Sequence, residues 1–320
     1  MITHSTPPLP PEAQRKVSIV IPAYKSAASL PVLLRQLFAI EQTNDWDLQV
    51  VVVDDASPDD TWEALKAAKE MYGPKLRIAR ALINGGQHRT IQAGLSLVTG
   101  DIVVTMDDDL QHRAEDVVNL VEAVSSGYDL AIGSYSQKKH SAMRNTAGTF
   151  IDRLIKRLFD LPRSFELTSF RAMRRSVAEG ALTQVSERPY ITAMLLANSS
   201  NRVNIPVVHE QRAHGTSNYT VGKSLSLAAS LIFSYSAYPI AFVGALCALA
   251  LGCSTILGIH TVWRAIYENN GVPGWASMIV VTSFMSGLIL MALVVFGIYL
   301  SRIYLTIVSG RLSNRLAEIE

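Results

Sequence analysis

Apolar and polar positions alternate between two periods along the first two thirds of the chain. Residues 17–22 (VSIVIP) form a short β-branched run, and so do 48–53, 76–81, 101–106 and 130–134. Runs of this length and composition predict buried strands. Between them the period changes to that of a helix. Leu30, Leu33, Leu34 and Leu37 fall on one face of 29–42, and helices are also predicted over 59–71, 87–98 and 114–125. Ser57 or Asp59 can cap the second of these, and Gly85-Gly86 opens the third. Strand and helix in regular alternation predict an α/β domain with a mostly parallel sheet covered on both faces. After residue 140 the pattern loosens. It predicts an amphipathic helix over 142–159 and strands over 167–173 and 202–208. Arg174 and Arg175 read as solvated helix positions.

The last third has a different pattern. No Asp, Glu, Lys or Arg occurs from Ser224 to Ile259, or from Gly271 to Ser301. Each stretch exceeds the roughly 20 apolar residues that a helix needs to cross a bilayer. The predicted organisation is a disordered lead over 1–15, a globular domain over 16–223 and an interfacial helix over 224–235. A two-helix transmembrane hairpin follows over 236–301, with crossings at 237–259 and 276–300, and then a tail over 302–320. Arg202, Arg212 and Lys223 flank the hairpin on one side, and Arg302, Arg311 and Arg315 on the other. The positive-inside rule therefore places domain and tail in the cytoplasm. The N-terminus lacks the apolar core of a signal peptide.

Composition adds little beyond this. The 320 residues carry a net charge of +2, which selects neither nucleic acid nor an acidic partner. Cys247 and Cys253 both lie in the first apolar stretch, face different sides of a helix and read as packing residues.

The chemistry collects where ligands bind in parallel sheets, at the carboxyl ends of the strands. Pro22-Ala-Tyr24, Asp54-Asp55, Asn84-Gly85-Gly86-Gln87, Asp107-Asp108-Asp109 and Ser134 all fall there. Three adjacent carboxylates repel one another and ionise together cheaply only around a cation. A hard ion such as Mg²⁺ or Mn²⁺, with oxygen ligands and a bridged diphosphate, fits that demand. A solvated acidic turn capping the next helix is the plainer reading. Asp54-Asp55 offers carboxylates to a ribose or base, or else caps a helix. Asn84-Gly85-Gly86 before a helix lets backbone N–H groups approach a phosphate, or else only turns the chain. Neither GxGxxG nor GxxxxGK[ST] is present, which argues against dinucleotide oxidoreductases and P-loop NTPases. His88, His112, His209 and His214 read as surface, capping or loop residues rather than ligands. Arg144, Arg171 and Arg212 form a basic inventory whose guanidiniums suit phosphate oxygens.

Six segments together, VSIVIP at 17–22, DDAS at 54–57, GQH at 86–88, MDDDLQH at 106–112, SFR at 169–171 and GTSNY at 215–219, resemble family 2 inverting glycosyltransferases of GT-A fold. The polyprenyl-phosphate branch is nearest, including the undecaprenyl-phosphate aminoarabinose transferases. The resemblance implies that Pro22, Tyr24, Asp54 and Asp55 frame the nucleotide, with Asn84, Gln87 and Asp108 in the nucleotide-sugar site. It implies that Asp107 and Asp109 hold a Mg²⁺ or Mn²⁺ ion and the diphosphate, joined by Gln111. Arg144 and Arg171 lie near sugar and acceptor in this scheme and share the catalytic role with the two aspartates. Arg144, Arg212, Ser217 and Tyr219 would meet the acceptor phosphate. Two positions depart from the pattern. Asp108 stands where a small residue is usual, and Tyr135 replaces an arginine whose charge Lys138, Lys139 or Arg144 would have to supply.

The expected reaction is inverting transfer from a nucleotide sugar, UDP favoured, to a polyprenyl phosphate, undecaprenyl favoured. It would serve cell-envelope glycan or lipid A modification at the cytoplasmic face of the bacterial inner membrane. The acceptor is a phosphate monoester with a second pKa of about 6, mostly dianionic at pH 7, and needs no general base. A homo-oligomer, a tetramer among the options, is expected from small residues in the apolar stretches. The competing readings are a processive polysaccharide synthase, a transferase with a soluble or protein acceptor, and a non-catalytic membrane scaffold. The QxxRW motif of the first is missing.

Overall fold

The computed structural model describes residues 15–135, 146–183, 189–208, 228, 231–232, 235, 238–267, 274–309 and 316–320. The chain divides into two units, one of residues 1–220 with 306–320 and one of residues 221–305.

The first unit is built on strands β1 (Arg15–Ala23), β2 (Trp46–Asp54), β3 (Leu76–Ala81), β4 (Ile102–Thr105), β5 (Leu130–Tyr135), β6 (Arg171–Arg174), β7 (Arg202–Val207) and β8 (Leu316–Ile319). They form one sheet in the order β7-β5-β6-β4-β1-β2-β3-β8. β1 runs parallel to β2 and β4, β2 parallel to β3, and β5 parallel to β7. β6 lies antiparallel between β4 and β5, and β8 lies antiparallel on the β3 edge. Val50, Val51, Val52 and Val53 are all fully buried, because both sheet faces are covered.

The covering helices are α1 (Leu30–Thr43), α2 (Thr61–Tyr72), α3 (Gln87–Leu95), α4 (Asp116–Ser125), α5 (Thr146–Leu158), α6 (Arg175–Thr183) and α7 (Ile191–Ala197). The leucine stripe of α1 is buried as its spacing predicts. α3 comes very close to the sheet: a Cβ on Gly94 would lie 2.4 Å from Val20 Cγ1. Ser57 does not cap α2; its hydroxyl accepts from Lys25 N–H, whereas Asp59 accepts from Thr61 N–H and Oγ1. Arg174 is not a solvated helix residue. It ends β6 and pairs with Asp129 at 3.7 Å. Arg202 is likewise structural, its guanidinium binding the carbonyls of Phe159, Leu196 and Ser199.

The stretch expected as a tail over 302–320 contains β8. Its Glu320 exchanges two backbone hydrogen bonds of 2.9 Å with Ile78. Four residues carry too little pattern to read as a strand, and only the open edge of β3 makes them one.

The second unit contains the long helix α8 (Tyr238–Tyr267), and α9 (Trp275–Ser309) starts within it. Both overrun the expected crossings. Among the described residues no helix is long and apolar enough to cross a membrane. Ile289, Leu290, Leu293, Val294 and Phe296 of α9 are nevertheless all exposed, spread over nearly half of the helix surface.

Candidate active site

The loops that leave β1, β2, β3 and β4 at their carboxyl ends surround an open cleft of about 200 Å³. Pro22, Tyr24, Asp55 and Gln87 line it together with Asp107, Asp108 and Asp109. Three loops here carry a non-glycine residue in the left-handed region, Lys25 (φ 58°), Ala56 (φ 53°) and Leu110 (φ 59°). Such positions are costly and persist only where neighbours hold them.

Each carboxylate of the triplet has its own partners. Asp107 Oδ1 accepts from Gln87 Nε2 at 2.5 Å and Oδ2 from Ser169 Oγ at 2.6 Å. Asp109 Oδ1 accepts from Gln111 N–H at 3.2 Å. Asp108 Oδ2 accepts from Tyr24 N–H at 3.2 Å and from the Ser26 hydroxyl. Burial pushes the Asp108 carboxyl above its usual range, and these two hydrogen bonds oppose that shift.

Asp55 departs from expectation. Its two oxygens accept from Gly85 N–H at 2.7 Å and Gly86 N–H at 2.8 Å, and Asn84 Nδ2 donates to its carbonyl at 3.2 Å. The backbone donors expected to meet a phosphate therefore hold a side-chain carboxylate. Gly86, at φ 83°, makes the turn possible. Asn84 acts through Asp55 and does not line the cleft. Asp54 is fully buried beneath it, paired with Arg80 Nε at 3.2 Å and accepting from Ser57 N–H at 3.0 Å. It braces the loop from below.

Arg171 is 2% exposed, behind Ser169 and Asp107. Nη1 donates to Thr192 at 3.1 Å and Nε to the Ser169 carbonyl at 3.3 Å. Burial lowers its pKa, while Tyr190 and Asp107 raise it. At this depth Arg171 supports Asp107 and Ser169 electrostatically. Near it, His88 packs edge-on against Tyr190, its buried Nδ1 has no hydrogen-bond partner, and desolvation and Arg171 lower its pKa to about 4. Tyr135, in place of the expected arginine, meets His112 Nε2 through its hydroxyl at 3.1 Å, and its N–H binds Glu166 at 2.9 Å. Gln111 is 8% exposed and off the cleft lining. Arg144, Arg212, Ser217, Tyr219, Lys138 and Lys139 lie outside the described residues.

Among the described residues no three His, Cys, Asp or Glu side chains converge as a ready-made metal site. Asp107 and Asp109 nevertheless face the cleft with oxygen donors only. That set fits Mg²⁺ or Mn²⁺, which commonly binds through one or two carboxylates and completes its shell with substrate phosphates and water. Ser26, Thr61, Thr90, Tyr190 and Thr192 were not legible as site residues in the sequence. The hydroxyls of Ser26, Thr61 and Thr192 are ordinary in their own segments and meet partners distant in the sequence.

In a mostly parallel α/β sheet, a cleft at the carboxyl ends of the strands is where ligands bind. Residues 18–181 match the family model described as Glycosyl transferase family 2, and the chain belongs to that family. The protein is a glycosyltransferase. The chain is 31% identical, over 90% of its length and 89% of the relative's, to the undecaprenyl-phosphate 4-deoxy-4-formamido-L-arabinose transferase of Sodalis glossinidius (strain morsitans). A relative of the same description from Yersinia enterocolitica is 30% identical over 92% of this chain and 90% of its own. Among solved structures, one described as a mycobacterial protein superposes with a TM-score of 0.50 at 20% identity, covering 69% of this chain and 75% of that one, a likeness of fold alone.

Proposed function

We propose that the protein transfers a sugar from a nucleoside diphosphate sugar to a polyprenyl phosphate, with inversion, at the cytoplasmic face of a bacterial inner membrane. The observation that carries this reading is the placement of Asp107 and Asp109 on the cleft that Pro22, Tyr24 and Asp55 border. One end of such a cleft suits a base and the other a diphosphate. UDP is the favoured nucleotide and undecaprenyl phosphate the favoured acceptor, in line with relatives whose similarity runs far past residue 181 into the apolar helices.

Asp107 and Asp109 would hold Mg²⁺ or Mn²⁺, which supplies charge neutralisation for the diphosphate leaving group. Gln87 and Ser169 fix Asp107 in place, so that its carboxylate need not reorganise during transfer. The buried Arg171 lies close enough to Asp107 for their charges to interact. The acceptor phosphate is its own nucleophile, so no side chain has to take a proton. Arg144, Arg212, Ser217 and Tyr219 remain the proposed contacts of that phosphate.

α8 and α9 are proposed as a transmembrane hairpin. The broad exposed apolar face of α9, with Ile289, Leu290, Leu293, Val294 and Phe296, suits a lipid environment and not water. The chain leaves the first unit near 220 and re-enters its sheet as β8. Any crossing between these points must therefore occur an even number of times.

The test is transfer of radiolabelled sugar into organic-extractable lipid by the detergent-purified protein. Undecaprenyl phosphate, a panel of nucleotide sugars and Mg²⁺ or Mn²⁺ would be supplied, with Asp109→Asn as control. Metal-dependent labelling that the control loses is expected. Labelling of a water-soluble product instead would overturn the choice of acceptor.

A further inference from the structure

The loop after β1 is pinned by three side chains from three different places. Ser26 N–H donates to Thr61 Oγ1 of α2 at 2.8 Å, and Lys25 N–H donates to Ser57 Oγ, after β2, at 3.0 Å. Tyr24 N–H donates to Asp108, after β4, which also accepts from the Ser26 hydroxyl. The first two anchors belong to the β2 side of the cleft. Asp108 alone among the three comes from the acidic loop. Between its two bonds lies Lys25, held at φ 58°. A lysine costs energy in that conformation, so the loop relaxes elsewhere unless its flanks are tied.

We propose that Asp108 is a positioning residue for the donor: it clamps the Tyr24–Ser26 loop to the acidic loop and so fixes the distance between the base end and the diphosphate end of the cleft. One carboxylate oxygen, Oδ2, takes both the Tyr24 and the Ser26 bond. The inference rests on reading the cleft as a nucleoside diphosphate sugar site. The ligand it selects is one whose base and diphosphate must engage together. Tyr24, 46% exposed, presents its ring beside the cleft and moves with the loop.

The clamp acts on binding, so its loss raises the KM for the donor more than it lowers kcat. With the full-length detergent-purified enzyme, Asp108→Ala is expected to raise donor KM roughly tenfold, with kcat and the activating metal concentration changed less than threefold. Asp108→Asn keeps one acceptor oxygen and the side-chain shape, and recovers most of the loss. Ser26→Ala removes one of the two bonds and gives a smaller rise. A second readout needs no activity. Trypsin cleaves after lysine, and the exposed Lys25 is protected only while the loop is held; Asp108→Ala accelerates cleavage there at least fivefold over the wild type, as followed by mass spectrometry. Unchanged cleavage overturns the clamp whatever the donor proves to be. A large shift in the activating metal concentration at constant donor KM also overturns it and makes Asp108 a metal ligand. Failure of the wild type to bind UDP would sink the reading of the cleft, while the cleavage rates would still decide the clamp.

Discussion

At the scale of single residues the site is a set of carboxylates, each restrained by a neutral donor. Ser169 shows what such a donor is worth. It touches Asp107 at 2.6 Å and does not line the cleft. Removal of a supporting hydrogen bond to a metal-binding group typically costs 10–100-fold. Ser169→Ala should therefore weaken metal activation and lower turnover by roughly 10- to 100-fold, read from initial rates across a Mg²⁺ or Mn²⁺ titration. His88 gives a pH prediction. Its folded pKa of about 4 lies below the 6.5 of a free histidine, so the unfolded chain binds more protons between those values. Stability is fully present above pH 6.5, falls as pH drops towards 4 and then levels off, with a total loss of up to about 3 kcal/mol. His88→Gln should flatten that part of the profile in thermal unfolding measured from pH 4 to 7.5. An unchanged slope would assign the acid sensitivity to other groups.

At the scale of elements, the sheet is held by close approach and by edge protection. Gly94 lets α3 lie against β1, and a methyl group there would press on Val20 Cγ1. Gly94→Ala should cost roughly 1–3 kcal/mol in denaturant unfolding, and Val20→Ala in the same chain should restore part of the loss. β8 covers what would otherwise be an open strand edge at β3. Deleting residues 316–320 removes the two Glu320–Ile78 bonds, worth roughly 1–3 kcal/mol together. A lower melting temperature and greater aggregation are expected, read by scanning calorimetry and light scattering. No change in either would mean that β8 contributes nothing to the edge.

For the whole molecule, the two-helix reading makes a topological prediction. With Cys247 and Cys253 replaced by alanine, a cysteine at position 268 should react with an impermeant maleimide added outside spheroplasts. A cysteine at position 320 should react only after lysis. Equal labelling of both would remove the hairpin and leave α8 and α9 to pack against a protein partner.

The strands 17–22, 48–53, 76–81 and 130–134, the α1 stripe and the acidic cleft at the strand ends were all legible in the sequence, because burial on both faces leaves a local signature of apolar runs. The family was legible from the order of short motifs, because each is a contiguous run of sequence. Roles set by distant partners were not. Asp54 and Asp55 are neighbours of identical chemistry, yet one is sealed against Arg80 and the other holds Gly85 and Gly86 at the cleft. Asp107, Asp108 and Asp109 read as one cation site, and the fold sends them to three different sets of donors. Four residues of tail become a strand only because β3 ends the sheet without a neighbour. Local sequence determines where a segment is buried. Which hydrogen-bond partner a polar group finds there depends on residues tens of positions away, and only the tertiary structure brings them within reach.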